Sequence, residues 1–180
     1  MPNWCDCELR VEVKDTKNKE QENKGLSELK KFKNFARKGE NVLETNNFIP
    51  YPKRFKEQTR LAEKHNKKLN ELSKEETKSF KMMSDGFNSG GYDWCIKNWG
   101  TKWGICDASM EMYHSELEYW FQTAWSPPEP VIRKMSKMFP RLKFVLTYFE
   151  GGMGFNGLLV CKGGKVIEEK CGDYFGGRGG

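Results

Sequence analysis

Six cysteines and two histidines are the side chains of this 180-residue sequence best suited to holding a metal or attacking an electrophile. Cys5 and Cys7 stand two apart, and with Cys161 and Cys171, or with His114, they could supply four ligands to a zinc ion. The spacing argues against it, because the paired Cys-x-x-Cys units of a structural zinc site are absent. Most of the cysteines are expected as small buried hydrophobes, without disulfides, in a cytoplasmic protein. Cys106 and His114, on neighbouring strands, could act as nucleophile and base, yet nothing nearby in sequence would lower the thiol pKa. The run Gly152-Met153-Gly154-Phe155-Asn156-Gly157 spells the glycine pattern of dinucleotide-binding proteins, but a strand follows it, so no helix N-terminus is available for a pyrophosphate. Glu116 and Glu118 share a strand face as ordinary alternation does, and His65 and His114 read as surface residues. No enzyme and no cofactor are expected.

Binding chemistry has better candidates. The stretch WCIKNWGTKWG at 94–104 holds Trp94, Trp99 and Trp103, with Lys97 and Lys102 interleaved, and Trp125 follows shortly after. Tryptophan offers a large apolar face with one N–H donor, useful in a core or at a recognition surface. One reading has these rings closing the open end of a sheet while Gly100 and Gly104 turn the chain. The other has Trp99, Trp103 and Trp125 stacking on bases or anchoring a protein, with Lys97 and Lys102 on phosphates. Charge is localised as well. Residues 14–81 carry 19 Lys and Arg against 11 Asp and Glu, whereas the rest of the chain is slightly acidic. Lys64, Lys67 and Lys68 within that region suit nucleic-acid phosphates or an acidic protein face; the alternative is a solvated helix laced with Lys–Glu pairs.

The elements that must position these residues follow from periodicity. Residues 3–13 alternate, with Cys5, Cys7, Leu9, Val11 and Val13 on one face, and predict a strand. Leu26, Leu29, Phe32, Phe35 and Ala36 predict a helix ended by Gly39. A lysine-rich helical region spans about 54–83, where Ser73-x-x-Glu76 is a possible capping box, and a short helix over 92–98 stops at Gly100. Strands follow near 102–109 and 115–124. Ser126 as N-cap, Pro127 in the first turn and Glu129 predict a helix to Phe139. Residues 142–150, apolar on both faces, predict a central strand, and 155–171 a hairpin turning at Gly163-Gly164. Apart from an insertion at about 50–100, the order is β-α-β-β-α-β, giving an α+β ferredoxin-like domain over 1–172, a C-terminal hairpin and a flexible glycine-rich tail at 173–180. Without an apolar run of about 20 residues, no membrane span is expected.

MPNWC at the start, NWGTKW at 98–103, FQTAWSPP at 121–128 and FEGGMGFNG at 149–157 together resemble a family of phage- and plasmid-encoded proteins with a ferredoxin-like domain, the plasmid YubB type. Cys7 and the basic insertion depart from that pattern. The resemblance implies a fold and a mobile-element origin, and anti-CRISPR proteins directed at Cas9 look similar. It therefore implies a non-enzymatic inhibitor of a host defence nuclease, with a Cas9-type complex as partner. A net charge of +6 excludes imitation of DNA by acidic residues. The alternative is a stand-alone DNA- or RNA-binding accessory protein.

Overall fold

The computed structural model describes residues 2–13, 17–70 and 81–173. The possible capping box at Ser73 and Glu76, and tail residues 174–180, lie outside the described residues.

Strand β1 (Trp4–Glu12) alternates as its sequence predicts, burying Cys5, Cys7, Leu9 and Val11. Helix α1 (Lys19–Ala36) begins seven residues earlier than its apolar period alone implies, because the Asn18 side chain caps it, its Oδ1 accepting the Gln21 N–H at 3.0 Å. After the short helix α2 (Thr45–Phe48) comes the long helix α3 (Lys53–Asn70), then a kinked turn at Phe87–Gly91, non-helical at Ser89 and Gly90, leading into α4 (Tyr92–Trp99). Gly100 ends α4 at φ 79°, where glycine carries no Cβ penalty. Strands β2 (Cys106–Met112) and β3 (Glu116–Ala124), helix α5 (Glu129–Met138), strand β4 (Lys143–Glu150) and the hairpin β5 (Phe155–Lys162) with β6 (Lys165–Asp173) complete the chain.

All strand pairs are antiparallel, in the order β2-β3-β1-β4-β5-β6. The central position read for 142–150 holds, since β4 lies between β1 and β5 and buries Phe144, Leu146 and Tyr148. Both hairpin glycines take positive φ, 58° at Gly163 and 77° at Gly164, as a tight two-residue turn requires. Helix α5 holds this hairpin down: the Gly164 N–H donates to Ser136 Oγ at 3.0 Å, and Arg133 pairs with Glu169 at 2.9 Å.

Phe32 of α1 sits at the centre of the core, its ring 5.1–6.1 Å from those of Phe48, Tyr119, Phe139 and Phe144. Across the helix ends, Glu28 receives both the Arg141 N–H at 2.9 Å and its guanidinium at 2.7 Å, tying the start of β4 to α1. No helix among the described residues is long and apolar enough to cross a membrane.

Further boundaries differ from the sequence reading: α1 stops at Ala36 with Arg37 already extended, before Gly39, and residues 81–85 are not helical. Strand β2 starts at Cys106, not 102, because residues 101–105 are bonded elsewhere: Thr101 Oγ1 donates to the Ala124 carbonyl and the Ile105 N–H to Thr45 Oγ1, at 2.8 and 3.0 Å. Helix α5 starts at Glu129, not after Ser126, because the Ser126 hydroxyl donates to the Gly100 carbonyl at 2.6 Å and caps nothing.

Candidate nucleic-acid interface

The four segments MPNWC, NWGTKW, FQTAWSPP and FEGG meet at one end of the sheet. The Trp125 N–H donates to the Asn3 carbonyl at 2.9 Å, Thr123 Oγ1 to the Ser126 carbonyl at 2.8 Å, and Ser126 reaches Gly100. The Glu150 carboxylate turns back to accept the Gly152 and Met153 N–H groups, closing the turn beside Asn3. This frame fixes a small aromatic platform. Lys102 Nζ lies 5.1 Å from the Trp103 ring centre and 4.5 Å from that of Trp125. Trp4 packs edge-on against Trp103 at 6.2 Å, and Tyr92 against Trp125 at 6.1 Å.

Trp125 is 40% exposed and has φ 74°, a region that bulky residues avoid. Holding it there costs about 1–3 kcal/mol, offset by the hydrogen bonds on either side. Since strain falls on the backbone and not the ring, Trp125→Gly is expected to be about 1 kcal/mol more stable than Trp125→Ala. Urea unfolding of the two variants checks this, and equal stability would mean that the left-handed backbone is not fixed by the fold.

Trp99 behaves differently. It is 5% exposed and its Nε1–H donates to the Ile49 carbonyl at 2.8 Å, so it belongs to the core that joins α4 to the chain before α3. Trp99→Phe is expected to lose about 1–3 kcal/mol, because the Ile49 carbonyl is left without that donor; thermal unfolding measures it. Trp94, half-buried, packs against Trp99 at 5.3 Å and Tyr51 at 5.4 Å. Lys97 is exposed on α4 with no ion-pair partner among the described residues.

Helix α3 carries the basic region. Lys53, Lys56, Arg60, Lys64 and Lys67 recur at intervals of three and four, and with Lys68 they form one exposed stripe about 22 Å long at ~1.5 Å per residue. The opposite face buries Phe55 and Ala62. Among the described residues none of these six cations has a carboxylate within ion-pair distance, although Glu57 and Glu63 share the helix. Among the described residues, the Lys–Glu lacing of a merely solvated face is therefore not formed. The return segment 83–86 is strapped along α3 by Asn66, which exchanges two hydrogen bonds of 2.9 Å with Met83, and by Thr59 Oγ1, which accepts the Gly86 N–H at 3.1 Å.

Between the stripe and the platform lies a cleft of about 500 Å³, walled by Tyr51, Phe87, Cys95, Trp99 and Trp103, with Lys56, Arg60 and Glu63 contributed by α3. Trp103 borders both the cleft and the Lys102 platform, so cations and rings form a continuous track. Burial, with Cys95 and Asp85 close by, raises the Tyr51 phenol pKa and keeps it protonated at neutral pH. Tyr51, Lys56, Arg60 and Phe87 were not singled out in the sequence. The three-and-four spacing of cations over 53–68 was the available signal for the first half of the track; nothing local marks the cleft, which is assembled from segments far apart in the chain.

The open face of the sheet carries both signs of charge, with Asp6 and Asp107 at one end and Arg10 and Lys143 paired with Glu12 at the other. A larger depression of about 680 Å³ there is lined by Asp6, Asp107, Ser109, Trp120, Gln122 and Phe149. At the far end of β3, burial together with Glu118 and Glu12 raises the Glu116 pKa.

The metal and nucleophile candidates are dispersed. Cys5, Cys7 and Cys161 point into the core, Cys171 is exposed on β6, and no group of three or more His, Cys, Asp or Glu among the described residues could hold a metal ion. Burial pushes the Cys7, Cys106 and Cys161 thiols up and Cys95 to about 11. Cys106 opens β2, whereas His114 lies in the turn beyond its other end, and the His65 ring contacts the Lys81 carbonyl at 3.3 Å.

Fold and site together define an α+β protein with a basic helix beside an aromatic cleft. Residues 98–176 match the family model described as a ferredoxin-like domain in Api92-like protein. That stretch runs from α4 to beyond β6 but omits β1, which lies between β3 and β4, so N-terminal residues complete the sheet. No curated protein matches the sequence. Among solved structures, the crystal structure of a protein api92 from Yersinia pseudotuberculosis is similar at 11% identity and a TM-score of 0.49, covering 98% of this chain and 99% of that one.

Proposed function

We propose that the protein acts by binding and not by catalysis, and that its ligand is a single-stranded nucleic acid lying along α3 and over the aromatic track. One observation carries the reading: six cations on one face of α3, free of carboxylate partners among the described residues, lead into an aromatic cleft. Cations tracking a backbone beside rings that stack on bases are the two parts a sequence-tolerant strand-binding surface needs. In the same reading β1 to β4 with α1 and α5 form a ferredoxin-like β-α-β-β-α-β unit, the β5–β6 hairpin extends it at the β4 edge, and the segment between α1 and β2 is the functional insertion.

A narrower form of the proposal places the strand within a host defence nuclease, a Cas9-type complex, and makes this a phage or plasmid protein that inhibits it. The four motifs carry that form, and the positive charge suits a grip on the guide or displaced strand. A pull-down from host lysate, with and without digestion of nucleic acid, separates the two. A protein partner retained after digestion supports the inhibitor; loss of every partner on digestion supports the stand-alone binder; and absence of both nucleic acid and nuclease from the undigested sample contradicts the proposal.

A further inference from the structure

Resting on the nucleic-acid reading, we infer that the cleft beneath α3 is a receptor for one unstacked nucleobase, so that the protein distinguishes a strand with bases from a bare sugar-phosphate chain. The walls are largely apolar and aromatic, formed by Tyr51, Phe87, Trp99 and Trp103. A volume of about 500 Å³ falls in the range of small-ligand pockets and accommodates a single heterocycle with its sugar. Trp99 is held rigidly by its bond to the Ile49 carbonyl, and Tyr51 is braced against Phe55, Trp94 and Trp99 at 5.4–5.6 Å, so the walls are preformed. Preformed walls limit the ordering cost of binding.

Polar groups agree with such an occupant. Lys56 and Arg60 leave the cleft one net positive charge after Glu63, which suits the phosphate attached to an inserted nucleoside. Tyr51 contributes its ring as a wall, with its hydroxyl packed against Gly91. A purely apolar ligand would leave the Lys56 and Arg60 charges without a counterpart, and a bare phosphate would leave the rings unused. A nucleotide uses both.

The test compares two fluorescent oligomers of the same length and charge, an intact single strand and one built entirely of abasic sugar-phosphate units, titrated with the full chain at one salt concentration. The intact strand is expected to bind at least ten-fold more tightly. Trp103→Ala is expected to remove most of that difference and Trp103→Phe to restore it, with circular dichroism confirming that both variants fold. Equal binding of the two strands to the parent protein would overturn the base receptor while leaving the strand-binding surface intact. Failure of both strands to bind would overturn the nucleic-acid reading and the receptor with it.

Discussion

Reversing Arg60, Lys64, Lys67 and Lys68 to glutamate is expected to lower affinity for a single-stranded oligonucleotide by two to three orders of magnitude near 0.1 M salt. Each phosphate contact releases condensed counterions, so four lost contacts are expected to reduce the slope of log affinity against log salt by roughly 3, at about 0.7 per contact. All four residues are exposed on the side of α3 away from Phe55 and Ala62, so folding is expected to survive. Reversing Lys134, Lys137, Lys165 and Lys170, exposed on α5 and β6, is the control matched in charge and is expected to change the slope little. An equal effect from the control would mean that net charge, and not the stripe, sets affinity.

The largest expected effect on stability is at Gly157. Tyr148 of β4 lies directly over this glycine of β5, and a Cβ there would sit 2.0 Å from Tyr148 Cζ and 2.1 Å from its hydroxyl. The ring has no room to retreat. It is 2% exposed, packs edge-on against Phe155 at 6.2 Å, and its hydroxyl reaches Glu129 at 3.4 Å. Gly157→Ala is expected to cost about 3–5 kcal/mol, comparable to expelling a buried aromatic. The same substitution beside Tyr148→Ala should cost under about 1 kcal/mol, because nothing is left to clash. Urea unfolding of the four proteins in this cycle measures the coupling, and an equal cost in both backgrounds would contradict the packing.

Gly157 also marks how far the sequence could be read. The glycine pattern at 152–157 leads into strand β5, as its sequence predicts, but why its last glycine is needed depends on the β4–β5 register, which no local pattern specifies. Strand β1 and the β5–β6 hairpin were legible because strict alternation and a Gly-Gly turn are local signals. Ser126 misled for a related reason. Its spacing to Glu129 is that of a capping residue, yet a hydroxyl beside two approaching loops can serve either a helix end or a distant carbonyl, and here Gly100 takes it.

The tryptophans divide along the same line. Spacing placed four of them near one end of the sheet, and the fold separates them: Trp99 is core, while half-buried Trp103 and exposed Trp125 flank Lys102. What separates them is the Ile49 carbonyl in one case and a left-handed backbone in the other. On α3 the sequence singled out Lys64, Lys67 and Lys68, but the exposed stripe extends back through Arg60 and Lys56, and only the fold brings those two against Tyr51 and Trp103.

The central claim is that the α3 stripe and its aromatic track bind a single strand, and fluorescence anisotropy of a labelled single-stranded oligonucleotide with the unmodified chain at 50 and 200 mM salt tests it most directly. The account expects micromolar or tighter binding at the lower salt and a loss of about fifty-fold at the higher, as about four released phosphate contacts require. No binding at 50 mM, or an affinity that does not change between the two conditions, would contradict it.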